Sequence, residues 1–157
     1  MKDKVKEQLR DRGVELQDIA DIVHTLQIAY YPDLLMSTCL DAIDAVLEKR
    51  EVQYAVLTGI ALDMAAEQGN LPEPILGTVQ IDEPLYGVDE ILAMAITNIY
   101  GTIGITSFGY LDKMKIGIIG TLDSSKEQVN TFLDDLVAAI ASASAAKIAH
   151  AKETGLV

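Results

Sequence analysis

Six carboxylates and one lysine in the second half of the chain have types and spacings that could do chemistry: Asp89, Glu90, Asp112, Lys115, Asp123 and the pair Asp134-Asp135. They bracket apolar sequence. Residues 91–111 carry no formal charge, so the acids fall where a buried segment meets its surface. Taken singly, each has an ordinary explanation. Asp89 and Glu90 lie in the first turn of a helix expected from about Val88, where the macrodipole favours acids. Asp112 opens a polar patch of the sort any helix end carries. Asp123 precedes Ser124-x-x-Glu127, a capping-box pattern. Asp134 and Asp135 lie inside the helix that this box would open, off its apolar stripe, as on a solvated face. Gathered at one end of a buried helix, however, these groups would repel one another and their pKa values would rise unless a cation kept them ionised. Oxygen ligands without His or Cys select a hard ion such as Mg²⁺.

Other chemistries lack their residues. No Gly-rich phosphate loop, HExxH or CxxC pattern occurs, and His24 and His150 fall on separate helices. Glu48-x-x-Glu51 is a single copy of the acid spacing used by all-helical nucleotide pyrophosphatases, with no second copy to complete a site. A net charge of −12 argues against nucleic acid as a partner and against passive adsorption to anionic membranes. Cys39 is the one cysteine and lies in an apolar periodic segment, which fits a reducing compartment. The first residues contain no apolar signal core, so the expected location is cytoplasmic.

The elements that must position the acids are helical. Residues 4–11 predict a short, charged, solvated helix ending at Gly13; beyond it apolar residues recur at spacings of three and four over 16–30 and 34–49, and 52–67 is richer still. Residues 71–87, with three prolines and two glycines, predict an unusually long, helix-free ordered loop, of a length that is often functional. Asn98, Gly101, Thr102, Gly104, Ser107 and Gly109 dilute the uncharged stretch below the hydrophobicity of a spanning helix. It therefore predicts a buried rod in a soluble bundle, with no transmembrane segment. The capping box predicts a last helix from Ser124 to about Lys152. The expected architecture is all-α: a single domain over 1–157, with about six helices packed around a central helix at 88–110. The small-residue run AAIASASAA and the abundant apolar faces predict a homo-oligomer.

Asp89-Glu90 before an apolar run, then Leu111-Asp112-x-x-Lys115, then Asp123, then Asp134-Asp135 before Leu-Val-Ala-Ala, resembles the phosphatidylglycerophosphatase A family. The likeness is to its soluble Gram-positive branch, related to the low-temperature-requirement protein C group. It covers residues 86–145 and implies a Mg²⁺-dependent phosphatase that removes the terminal phosphate of phosphatidylglycerophosphate, or of a related phosphomonoester, at or near the membrane periphery. By the same resemblance Asp89, Glu90, Asp112, Asp123, Asp134 and Asp135 are the acidic positions from which metal ligands are drawn. Lys115 would stabilise phosphoryl charge, and Glu90 is the acid that could orient the attacking water. The competing reading is a catalytically silent helical domain that oligomerises or binds a partner. Clustering of the acids at one point, as against dispersal over separate faces, distinguishes the two.

Overall fold

The computed structural model describes residues 1–155. Among them the fold is all-α: α1 Lys2–Asp11, α2 Leu16–Gln27, α3 Met36–Leu47, α4 Arg50–Glu67, α5 Ile75–Gln80, α6 Val88–Thr97, α7 Gly101–Met114, α8 Ile118–Asp123 and α9 Leu133–Glu153. A 3₁₀ turn, Asn98–Tyr100, joins α6 to α7.

The central helix is α9, not the segment at 88–110. Every residue from Leu133 to Ala146 is buried, and α2, α3, α4, α6, α7 and α8 all pack on it. Small side chains explain its position: Ala138, Ala139, Ala141, Ala143, Ala145 and Ala146 let neighbours approach from every side. Its hydroxyls are satisfied internally, Ser142 Oγ donating to Ala138 O at 2.7 Å and Ser144 Oγ to Ile140 O at 2.8 Å. The small-residue run expected to support self-association is therefore consumed inside the chain.

The uncharged stretch is instead folded in two. Val88–Met114 is long and apolar enough to cross a membrane by length and composition alone, but its apolar window is only 28% buried. Gly101, at φ 73°, supplies a backbone conformation that interrupts the helix. A straight helix would separate Asp89 from Asp112 by about 35 Å, yet both line one cleft. The reversal leaves Val88, Ile91, Ile105 and Tyr110 facing outward.

Three local expectations are corrected. Residues 71–87 contain α5, whose start follows Pro72 and Pro74; proline is tolerated there because the first N–H groups of a helix have no intrahelical partner. α1 is anchored rather than solvated: Val5 and Leu9 are fully buried. Beyond its end, Arg12 pairs with Glu67 at 2.6 Å and donates to Val129 O at 2.7 Å. Finally, no helix opens at Ser124. Residues 124–132 are irregular, and Ser125 Oγ accepts long, 3.4 Å bonds from the N–H groups of Glu127 and Gln128.

The cap of α9 comes from far away in sequence. Asp63, fully buried in α4, accepts from Phe132 N (3.1 Å) and Leu133 N (3.0 Å), one bond to each carboxylate oxygen. Burial pushes its pKa up to about 8 against the pull of those two N–H groups. In Asp63→Asn one N–H would face an amide NH₂, leaving a buried donor unpaired. The expected loss is about 1–3 kcal/mol by urea unfolding; unchanged stability would contradict the capping role.

Candidate active site

α7 ends at Lys115, whose backbone is left-handed at φ 49°, ψ 45° while its N–H still donates to Leu111 O at 2.8 Å. A non-glycine residue pays about 1–2 kcal/mol for that conformation. It directs the side chain into a group of carboxylates from three helices. Lys115 Nζ lies 2.8 Å from Asp134 Oδ2, 3.0 Å from Asp112 Oδ1, 3.5 Å from Asp123 Oδ1 and 3.8 Å from Asp135 Oδ1. Asp112 is in the last turn of α7 and Asp123 ends α8. Asp134 and Asp135 open α9.

The short α7–α8 turn that brings these ends together depends on Gly120, where a Cβ would collide with the Lys115 carbonyl oxygen. Because that contact is backbone, Gly120→Ala must displace the turn that aims Lys115. We expect it to cost about 1–3 kcal/mol, read as a lowered melting temperature; a variant as stable as wild type would contradict this account of the turn.

Asp112, Lys115, Asp134 and Asp135 form one wall of a cleft of about 230 Å³, completed by Asp82, Glu83, Pro84, Asp89 and Glu90. Asp134 and Asp135 are 2% and 4% exposed, contrary to the solvated face expected of them; the start of α9 at Leu133 places both in a buried first turn. Burial pushes Asp134 up to about 6, with the Lys115 ammonium pulling the other way. Burial also raises Asp135, and the charge of Asp134 adds to it. For Lys115, burial opposes the charged form, but Asp134, Asp112 and Asp135 outweigh it and the pKa is raised. Across the cleft, burial raises Asp89, whose Oδ1 is enclosed without a hydrogen-bond partner. Asp82 is exposed as a residue, yet desolvation of its carboxyl, followed by the charge of Asp89, raises its pKa.

The seven residues singled out from the sequence are thus distributed unevenly. Asp112, Asp123, Asp134 and Asp135 surround Lys115. Asp89 lies opposite in the same cleft, and Glu90 is exposed at its edge. Among the described residues no three acids are disposed to hold a metal ion, since the Lys115 ammonium lies at the point the four carboxylates share. Sequence reasoning passed over Asp82, Glu83 and Asp63. Asp82-Glu83-Pro84 stands in the segment flagged as an unusually long loop, and Asp63 is the one charge between Val52 and Ala66; both were visible signals. The histidines are elsewhere, His24 Nε2 3.2 Å from Leu34 O and His150 Nε2 3.4 Å from Tyr100 O.

Seven acids and one lysine line the cleft, a balance that repels any anion unless further positive charge is added. The donors are all oxygen, and Asp89 Oδ1 is an enclosed acceptor without a donor, which suits a hard divalent cation.

The crystal structure of YpjQ from Bacillus subtilis superposes with a TM-score of 0.94 at 54% identity, covering 98% of this chain and 95% of that one. The low temperature requirement C protein of Listeria monocytogenes gives a TM-score of 0.94 at 50% identity, over 97% and 96% of the two chains. The uncharacterized protein YutG of Bacillus subtilis is 51% identical over 151 residues, 96% of this chain and 91% of YutG. The profile of phosphatidylglycerophosphatase A matches residues 14–150. With that match spanning the helices that build the cleft, the chain belongs to the phosphatidylglycerophosphatase A family.

Proposed function

We propose that the chain is a Mg²⁺-dependent phosphatase that hydrolyses the phosphomonoester of phosphatidylglycerophosphate or of a related phosphomonoester, working in the cytoplasm at the membrane periphery. The observation that carries this reading is the convergence of Asp112, Asp123, Asp134 and Asp135 on Lys115. A solvated face would scatter such acids.

Asp89, Asp112 and Asp135 are the residues that would hold the cation, which requires their side chains to turn toward one another because no three acids among the described residues are so grouped as they stand; Asp134 is committed, its Oδ2 accepting from Lys115 and its Oδ1 from Asp135 N at 2.9 Å. When bound, Mg²⁺ supplies charge neutralisation at the phosphoryl oxygens and lowers the pKa of water. The chain's own groups do the rest. Lys115, oriented by Asp134, donates to a phosphoryl oxygen as negative charge shifts during transfer. Glu90, exposed at the cleft edge, accepts a proton from the attacking water. As the new P–O bond forms, the bond to the alcohol oxygen breaks; that oxygen takes up a proton from solvent water, and Glu90, exposed at the cleft edge, returns the proton it accepted to solvent.

One observation favours a second reading: Lys115 alone satisfies several carboxylates, as it would in a catalytically silent helical domain. Release of inorganic phosphate from phosphatidylglycerophosphate and from short phosphomonoesters, with and without Mg²⁺, separates the two. Metal-dependent turnover that falls about 10²–10³-fold in Asp112→Ala is expected for the enzyme. Absence of turnover on every substrate would leave the silent domain.

A further inference from the structure

At the other end of α9 from the acidic cleft lies a groove of about 540 Å³, between the end of α2, α7 and the last turns of α9. Ala149 in its wall is fifteen residues beyond Asp134, about 22 Å along the helix, so the groove is a separate site. Leu26 from α2, Ile103 from α7 and Ala149 from α9 make its walls largely apolar, and the rings of Tyr30, Tyr31 and Tyr110 stand around them. Tyr30 is 75% and Tyr110 50% exposed. Two of these rings come together because Gln27 O accepts from both Tyr30 N and Tyr31 N at 3.0 Å, which turns the chain past the end of α2.

One polar side chain reaches this groove from the core. Gln27 is only 6% exposed, yet its side-chain amide makes no hydrogen bond among the described residues and is not sealed in, so its donor and acceptor are left to whatever enters the groove. The hydroxyls of the wall divide. Thr25 Oγ1 is spent on Asp21 O at 2.8 Å, whereas Thr106 and Ser107 make no such bond to their own helix, unlike Ser142 and Ser144 of α9. No lysine or arginine lines the groove, and Glu153 does. Lys152 Nζ lies 5.8 Å from the centre of the Tyr31 ring, outside the lining.

We infer that this groove is a second ligand site, which takes an uncharged planar nitrogen heterocycle with a hydrogen-bond donor beside an acceptor, of the size of a purine nucleoside. The size and lining are those of small-molecule sites, mostly apolar with a few placed polar groups. An apolar cavity of about 150 Å³ holds one benzene ring; this groove is about three and a half times larger and accepts a fused ring with a sugar-sized substituent. A carboxamide such as that of Gln27 pairs both its groups with an adjacent donor and acceptor, as glutamine does with the amino group and ring nitrogen of adenine. Exposed tyrosine rings offer faces on which a base stacks. Thr106 and Ser107 reward hydroxyls on the substituent. Glu153, with no cation in the lining, rejects a phosphate or carboxylate.

Calorimetric titration of adenosine, adenosine 5′-monophosphate and toluene into the metal-free protein tests this, with no turnover at the cleft required. Adenosine should bind saturably at one site, and the other two at least about tenfold more weakly. Gln27→Leu should weaken adenosine at least about tenfold, as expected when a site loses its hydrogen bonds to a ligand. It should do so without lowering the melting temperature, because the amide makes no bond within the fold. Ala149→Phe, which fills the groove, should abolish binding and serves if Gln27→Leu fails to fold. No adenosine binding by wild type, an affinity unmoved by both substitutions, or a preference for toluene or the monophosphate would overturn the assignment. A dimer that Ala149→Phe dissociates, with no adenosine bound, would give the groove to a second copy of the chain and overturn it as well.

Discussion

Lys115→Ala should destabilise the metal-free protein by about 3–5 kcal/mol, the range seen when one partner of a buried ion pair is removed. The size follows from what the ammonium neutralises. Asp134 and Asp135 are nearly fully buried, and Asp112 and Asp123 converge on the same nitrogen. Without it, the carboxylates must either take up protons or repel one another. Two controls isolate the charge. Lys115→Gly removes the cation but also relieves the left-handed backbone at φ 49°, so it should recover about 1 kcal/mol relative to alanine. Addition of Mg²⁺ at 100 times its dissociation constant should return about 2.7 kcal/mol to a variant that still binds it. Urea unfolding with and without Mg²⁺ measures all three. A loss below 1 kcal/mol for Lys115→Ala would mean that the four contacts carry little of the fold's stability.

The pH dependence of the metal-free protein should be inverted relative to that of a protein held by surface ion pairs. Asp134, raised from 3.8 to about 6, and Asp63, raised to about 8, bind more protons in the folded than in the unfolded state between those values. Stability therefore falls as pH rises through that window. Asp134 alone accounts for about 3 kcal/mol between pH 4 and 7 on the scale of 1.36 kcal/mol per unit. Opposing groups act lower down. Asp44 is depressed by Lys2 and Lys6, and Glu67 by Arg12, so their contribution is present above the unfolded pKa and is lost as pH falls through the folded one. A stability maximum near pH 5 is expected, with a decline toward pH 8 that Mg²⁺ reduces. Denaturant midpoints from pH 4 to 9 test this; a midpoint that rises from pH 5 to 8 without metal would contradict the burial of these acids as ionisable groups.

The helices that carry a hydrophobic stripe were legible in the sequence. Ile19 and Val23, or Cys39, Ile43 and Val46, recur at helical spacing and lie in the core. The acids and Lys115 were legible too, through their spacing. What could not be read was which helix the others surround. Apolar content pointed to 88–110, but centrality belongs to α9, whose alanines and serines carry little apolar area each and fit the middle because they are small. The start of α9 was obscured for a related reason: Ser124 and Glu127 offered a local cap, whereas the working cap is Asp63, about seventy residues earlier in the chain. Pairing at that distance leaves no periodic trace. Asp82 was visible as an acid in residues 71–87, but nothing in a segment without a regular pattern placed it beside the start of α9.

The most direct test of the cation account is calorimetric titration of Mg²⁺ into wild type, Asp89→Asn and Asp112→Asn at pH 8. Saturable binding by wild type, weakened about 10–100-fold in both variants, is the predicted result. No binding by wild type, or the same affinity in all three proteins, would contradict it and leave Lys115 as the sole counter-charge in the cleft.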